Sequence, residues 1–313
     1  HRKTFSEWDS AIIDELFQTS KVNHPVAIIN KENIERARKN IEKYDWARKQ
    51  RDSAINSANS IIGRFSDAFL DNMIPRTTPN THTFCPNCAK NGEFLPKGTW
   101  GWHNSNPDVI TCDKCGEIFP NNKMYPESIS YTSEFDPEQT ITYINTGPQV
   151  CMKYFRCYSS VEGVIRGKKL EYAINRIPYL YNAYALTGDI KYAIAVKKFL
   201  LKLADRMPNY LVYMGYSYAQ YADCDPHYVV QNMPYLPNIN GKKCKMIAAD
   251  ADQFEDTSFH SNYWSASRLG TSGTDGEYVQ IFAQAYDLIA DVVIRSSILY
   301  YYKNYESSQK KNS

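Results

Sequence analysis

The residues best placed to do chemistry in this sequence are cysteines: of eight, four fall into two Cys-x-x-Cys pairs, Cys85-Pro86-Asn87-Cys88 and Cys112-Asp113-Lys114-Cys115. Each pair lets two thiolates converge on one ion at about 2.3 Å, and two pairs complete a tetrahedral set with no open position. The spacing therefore predicts a structural zinc site held by Cys85, Cys88, Cys112 and Cys115. Two tight disulfides or a redox Cys-x-x-Cys are the competing chemistries, and duplication of the pair favours the metal. His82 and His103 lie close in sequence but are expected to be ordinary surface or core residues, because four thiolates already saturate zinc. Cys151, Cys157, Cys224 and Cys244 have no metal-like spacing. Free buried thiols and two disulfides both stay open for them; the even count mildly favours disulfides and an oxidising, extracellular compartment.

A second concentration of useful groups lies in Phe259-His260-Ser261-Asn262-Tyr263-Trp264-Ser265-Ala266-Ser267-Arg268. It offers an imidazole base, an amide donor, stacking rings and a guanidinium fork for a carboxylate. The competing expectation is that Tyr263 and Trp264 are core and that Arg268 pairs with an acid such as Asp275. Tyr216, Tyr218, Tyr221 and His227 form another aromatic-polar stretch that could line the same cleft, or simply pack. Asp250, Asp252, Glu255 and Asp256 raise the two-carboxylate chemistry of glycoside hydrolases. The glycine and ligand spacing of an EF-hand are missing there, and a solvated acidic loop is the simpler reading.

The elements that must position these groups are mostly helical. Ile34, Ala37, Ile41 and Tyr44, then Ala47, Ile55, Ala58, Ile62 and Phe65, recur at helical spacing. Residues 74–150 lose that period and are rich in Pro, Asn, Thr, Gly and Cys, which predicts loops and short strands around the metal. Helices are expected to resume near Lys168. One stripe runs Leu170, Ala173, Ile174, Ile177, Tyr181 and Tyr184, with Pro178 kinking or breaking it. Thr187-Gly188-Asp189 ends that helix and caps the next, whose stripe of Tyr192, Ala193, Val196, Phe199, Leu200 and Leu203 stops at Met207-Pro208. The two form an antiparallel hairpin over 168–206. Thr274-Asp275-Gly276-Glu277 reads as a capping box before Tyr278, Ile281, Phe282, Ala285, Ile289 and Val292, and the tail from Ser307 is expected to fray.

Composition bounds the function. The chain has 313 residues, 43% hydrophobic and 22% charged, which excludes a disordered tail or fibre. Lys+Arg 36 against Asp+Glu 34 leaves a net charge of +2, too little to build a phosphate-neutralising surface, so nucleic acid is not an expected partner. No run approaches the ~20 apolar residues of a membrane helix, and a membrane is not an expected partner either. The chain begins at His1 without a basic-then-apolar leader, which is expected of a processed or excised chain. The 25 tyrosines suit either a tyrosine-rich core or carbohydrate stacking, and the preference of aromatics for interiors favours the core.

Four segments resemble heparinase II/III-like polysaccharide lyases: His24-Pro25 with Ile28 to Arg38 and Tyr44-Asp45-Trp46-Ala47; the four-cysteine insertion; Tyr184-Ala185-Leu186-Thr187-Gly188-Asp189; and Asn262-Tyr263-Trp264 to Gly273-Thr274-Asp275-Gly276 with Ala285-Tyr286-Asp287-Leu288. The resemblance implies a mainly α fold, an incomplete (α/α) toroid of helical hairpins with a small zinc-bound loop and strand insertion. The expected divisions are 1–73 for the first toroid helices, 74–150 for the insertion, 151–306 for the hairpins and 307–313 for a disordered tail. It implies β-elimination on uronic-acid-containing polysaccharide such as glycosaminoglycan, with structural Zn2+, an acidic polysaccharide as partner, and a secreted or extracellular location (periplasmic in a bacterium). Family members carry further hairpins and usually a β-sandwich domain, so the chain is expected to be the N-terminal part of a longer enzyme. The candidates carried forward are His260, Asn262 and Tyr263 for catalysis, and Trp264, Arg268, Tyr216, Tyr218 and His227 for substrate binding. A non-catalytic glycan-binding remnant of such a lyase is the alternative.

Overall fold

Helices dominate both ends of the described chain, and short antiparallel sheets lie between them. The structure, a computed structural model, describes residues 24–80, 83–93, 95, 98–132, 136–151, 155–210, 222–223, 245–246 and 275–292. No helix among them is long and apolar enough to cross a membrane.

Helix α1 (Lys31–Lys43) starts where the Asn30 side chain accepts the Asn33 N–H at 2.9 Å, and it carries Glu32 in its first turn and Lys43 in its last. Those charges oppose the helix dipole favourably. Extended backbone at Tyr44 separates it from α2 (Asp45–Arg64), which buries Ala47, Ala58 and Ile61. Ile62, expected on the inner stripe, is instead 36% exposed, and its neighbour Ile61 takes the core position. Helix α3 (Asp67–Met73) follows, capped by Ser66.

The middle segment holds loops and short strands, as expected, together with a short helix and one 12-residue strand that the composition does not announce. Helix α4 (Pro86–Lys90) precedes β1 (Trp100–Trp102), β2 (Ile110–Cys112) and β3 (Ile118–Phe119), an antiparallel sheet in the order β1-β2-β3. A second sheet pairs β4 (Ile129–Thr132), β5 (Thr140–Cys151) and β6 (Phe155–Ser159), with a register shift between Ile144 and Gln149.

Helices resume at Val161, earlier than the stripe indicated, and the first stripe is two helices, a break at Pro178 being one of the two outcomes expected there. Helix α5 (Val161–Ile174) stops at Asn175, and α6 (Ile177–Thr187) begins with Pro178 in its first turn, where a missing N–H costs nothing. The antiparallel hairpin is therefore α6 with α7 (Ile190–Arg206). Gly188 at φ +73° ends α6 in the left-handed region, and the Asp189 side chain caps α7 by accepting the Lys191 N–H at 3.1 Å. Residues 275–292 form the last described helix, α8. Thr274, the expected cap of α8, and the tail from Ser307 lie outside the described residues. Within 208–270, read as irregular, Ala222–Asp223 (β7) and Lys245–Met246 (β8) make a short antiparallel pair.

Two cores result. The larger joins α2, α3, α5, α6, α7 and α8 through residues such as Ala58, Met73, Leu170, Ile177, Leu180, Val196, Phe199 and Ile289. The smaller packs Cys85, Cys88 and Cys112 with Ile110, Phe119, Tyr125 and Ile144, and takes Val161, Val164 and Ile165 from α5.

Polar ties close the helical layer. Arg206 is 3% exposed and donates to the carbonyls of Asp71 (2.9 Å) and Ile74 at the end of α3, and its other nitrogen meets the Asp71 carboxylate. Tyr210 Oη donates to Pro75 O at 2.5 Å. At the opposite limit of the sequence, Asp287 on α8 accepts the N–H of Val26 (3.0 Å) and Ala27 (2.8 Å), and His24 Nδ1 lies 2.5 Å from its Oδ1. Burial pushes the Asp287 carboxyl up, but His24 and the two N–H groups outweigh it and hold the group below its ordinary range.

A carboxylate with a lowered folded pKa stabilises the fold above its unfolded value, and that stabilisation is lost as pH falls through the folded value. Asp287→Asn is expected to lower the melting temperature at neutral pH, and its difference from wild type is expected to begin shrinking near the ordinary carboxylate value of about 4 and to vanish only once pH has fallen through the lower folded value, where both carry a neutral side chain. Thermal melts of the two proteins from pH 7 downward check this; a difference that persists unchanged at the acid end contradicts it.

Candidate metal centre

Cys85 caps the short helix α4, whose first residue is Pro86, and one helical turn brings Cys88 round to the same side. The chain leaves by a tight turn in which the N–H of Glu93 reaches Cys88 O at 2.8 Å. The second pair sits in the β2–β3 hairpin, where Gly116 N donates to Cys112 O and Cys112 N to Glu117 O, both at 2.8 Å. Gly116 has φ +74°, and no atom lies within 4 Å of a Cβ added there. Backbone conformation rather than space therefore demands glycine at this turn.

The four sulfur atoms lie within 4.8 Å of one another. Across the two loops, Cys85 Sγ and Cys115 Sγ are 3.7 Å apart, and Cys88 Sγ and Cys112 Sγ 3.8 Å. A tetrahedron of sulfurs at ~2.3 Å from a central ion has edges of ~3.8 Å, whereas a disulfide requires ~2.05 Å. The four are free thiols, so the disulfide alternative does not fit, and the spacing can hold one metal ion.

Three of the cysteines are buried and Cys115 is exposed. Burial pushes the Cys85 thiol well up and the Cys88 thiol to about 11. At Cys115 burial also opposes ionisation, but the Asn87 side chain and the Glu117 N–H outweigh it and bring the thiol down to about 7. Four thiolates this close repel one another, so full ionisation needs a central cation. Asn87 is itself oriented, because its Oδ1 accepts from Tyr125 Oη at 2.7 Å. Lys114, inside the second pair, holds Glu93 at 2.9 Å and bridges the two loops. Sequence reasoning singled out neither Asn87 nor Tyr125. Asn87 could have been noticed as the polar residue inside Cys-Pro-Asn-Cys; Tyr125, ten residues past the last cysteine, carried no signal.

Of the other expectations, His103 is exposed and bonds Ser105 Oγ at 2.7 Å, away from the cluster. Cys151 pairs with Phe155 and Cys157 with Gln149 in the β5–β6 register, so these two cysteines are not opposed in the ladder. His82, Cys224, Cys244, the acidic stretch from Asp250 to Asp256, and all the catalytic and substrate candidates (Tyr216, Tyr218, His227, His260, Asn262, Tyr263, Trp264 and Arg268) lie outside the described residues. Comparison with protein-family models, with curated proteins and with solved structures gives no match.

Because three of the four cysteines are buried in the smaller core, losing one ligand is expected to loosen that core without unfolding the helical one. Cys112→Ser should lose stoichiometric metal and show faster amide exchange over 83–125, while α6 and α7 keep their protection, since metal binding of this kind contributes about 10–16 kcal/mol to folding of its own module. Elemental analysis with exchange mass spectrometry tests both halves; metal-free protein with unchanged protection over 83–125 contradicts them.

Proposed function

We propose that the chain is the helical, zinc-bearing portion of a secreted polysaccharide lyase of the heparinase II/III-like kind, with its helices arranged as part of an (α/α) toroid. The observation that carries this reading is the convergence of segments on which the resemblance rests. His24 and the N–H groups of Val26 and Ala27 meet Asp287 of Ala285-Tyr286-Asp287-Leu288, a separation of about 260 residues. Arg38 Nη2 donates to the carbonyl of Ala185, in Tyr184 to Asp189, at 2.9 Å. Residues matched for their likeness to one family thus touch one another through specific polar contacts.

Zinc is the ion this reading assigns to the cysteines. Soft thiolates in tetrahedral spacing suit it, and a complete set of protein ligands makes the site structural rather than catalytic. Elimination then falls to side chains elsewhere. The C5 proton beside a uronate carboxylate is weakly acidic, so a cation or amide must stabilise the charge that develops on the carboxylate. A base removes the proton and an acid protonates the departing glycosidic oxygen. His260, Asn262 and Tyr263 are proposed for these roles, with Arg268 and Trp264 holding the sugar.

Incubation with uronate polymers is expected to produce the ultraviolet absorbance of an unsaturated uronate, with no solvent oxygen incorporated. Incorporation of labelled oxygen from water contradicts elimination and marks a hydrolase. Binding without cleavage leaves a glycan-binding protein and overturns the enzymatic part of the proposal.

A further inference from the structure

Arg176 lies at the junction of α5 and α6 with its guanidinium over two tyrosine rings, 4.4 Å from the centroid of Tyr172 and 5.4 Å from that of Tyr179. Its Nε is buried with no hydrogen-bond partner, and among the described residues no carboxylate pairs with it. Arg166 Nη2 and Arg206 Nε are likewise buried without an acceptor, but those side chains have carboxylate partners, Glu162 and Asp71, as Lys169 has Asp108 and Lys202 has Asp71. A partly buried guanidinium without a carboxylate partner is unusual, and its accessible edge calls for an anionic acceptor.

The surroundings are those of a sugar subsite. Tyr172 is wedged between Phe65 (6.1 Å) and Trp102 (5.5 Å), and its hydroxyl accepts from Asn104 Nδ2 at 3.0 Å. Tyr179 is 43% exposed, which leaves ring surface open beside the guanidinium. A guanidinium lying over a ring keeps its in-plane N–H edge for a carboxylate or sulfate, while rings of Tyr and Trp stack on the apolar face of a pyranose. Glu171 is the nearby acid on α5, and Lys168 occupies it at 3.6 Å. Trp102 and Asn104 come from the β1 side of the cysteine module, and Tyr172, Arg176 and Tyr179 from the helical layer.

We infer that Arg176, flanked by Tyr172, Tyr179 and Asn104 where the cysteine module meets the helices, binds the carboxylate of an acidic sugar residue in an oligosaccharide. This subsite is separate from residues 259–268 and rests on the reading of the partner as an acidic glycan. Because one wall belongs to the cysteine module, metal in that module supports the subsite from a distance.

The test is calorimetric titration of the full chain with a hyaluronan hexasaccharide, and with neutral cellohexaose as the uncharged probe. The expected result is binding of the acidic probe alone, weakened about tenfold or more in Arg176→Ala and less in Arg176→Lys, which keeps the charge but not the fork. Arg176→Ala also removes ring contacts and is open to instability. Tyr179→Leu serves as the second variant, at an exposed position, and is expected to weaken binding with an unchanged melting temperature. Chelation of the metal is expected to weaken binding as well. Equal affinity of wild type, Arg176→Lys and folded Tyr179→Leu overturns the subsite while leaving the acidic-glycan reading standing. Absence of binding by the wild type overturns both, and equal binding of cellohexaose removes the role of the charge.

Discussion

Helix α5 belongs to two cores at once, and the remaining architecture hangs on that sharing. Val161, Val164 and Ile165 pack on the cysteine cluster, and Leu170, Ala173 and Ile174 on the helical layer. Five of these, the valines, isoleucines and leucine, each contribute about 1.5–3 kcal/mol relative to exposure and together outweigh the exposed ion pairs of the surface at about 0–1 kcal/mol each. Burial therefore sets the angle between module and helices, and polar contacts refine it. Lys169, 7% exposed and one residue before Leu170, reaches Asn72 of α3 at 2.8 Å and Asp108 of the β1–β2 loop. One helix carries the registration of three parts of the chain.

Long-range side chains replace local caps at the ends that matter most for this arrangement. Ser160 does not cap α5 with its own side chain. Glu127, from the loop before β4, does so instead by accepting the N–H groups of Val161 (2.6 Å) and Glu162 (2.9 Å) and the Thr142 hydroxyl. Burial of Glu127 pushes its carboxyl up, and these three donors offset part of that cost. Arg206 closes the C-terminal carbonyls of α3 in the same way. A cap supplied from elsewhere in the chain makes a helix end conditional on tertiary structure, so secondary and tertiary order form together.

Much of this was legible in the sequence, and the exceptions have physical causes. Gly188-Asp189 signalled the α6–α7 turn because a left-handed glycine and an aspartate cap are local chemistry. The cysteine spacing signalled the metal site because ligand geometry is short-range on both loops. The stripe from Leu170 to Tyr184 leaves a kink or a break equally open at Pro178, since the periodicity continues across Asn175 and Arg176 and only that proline marks the new first turn. Ile62 was misplaced against Ile61 because neighbouring positions differ by about 100° on the helix, and the packing partner decides which turns inward. The start of α5 was missed for the reason just given: its cap, Glu127, lies 34 residues upstream. Arg176 carried no signal because a stacked, unpaired guanidinium looks in sequence like any charged residue at a helix junction.

In the proposed reading, the cysteine site and the unpaired arginine divide the work between them. Four sulfurs would leave a bound ion no open position with which to polarise a substrate, so its effect on function would run through the geometry of the loops that hold it. Those loops lead into β1, whose Trp102 packs on Tyr172, so rigidity at the cysteines is passed within one strand to the wall beside Arg176. With a net charge of only +2, the surface as a whole offers an anion little attraction. Attraction then depends on a few cations left without acid partners, and it is strongest where neighbouring rings exclude water and lower the local dielectric. Arg176 meets both conditions, and Tyr172, which the cysteine module and the helices grip together, is the residue that holds it there.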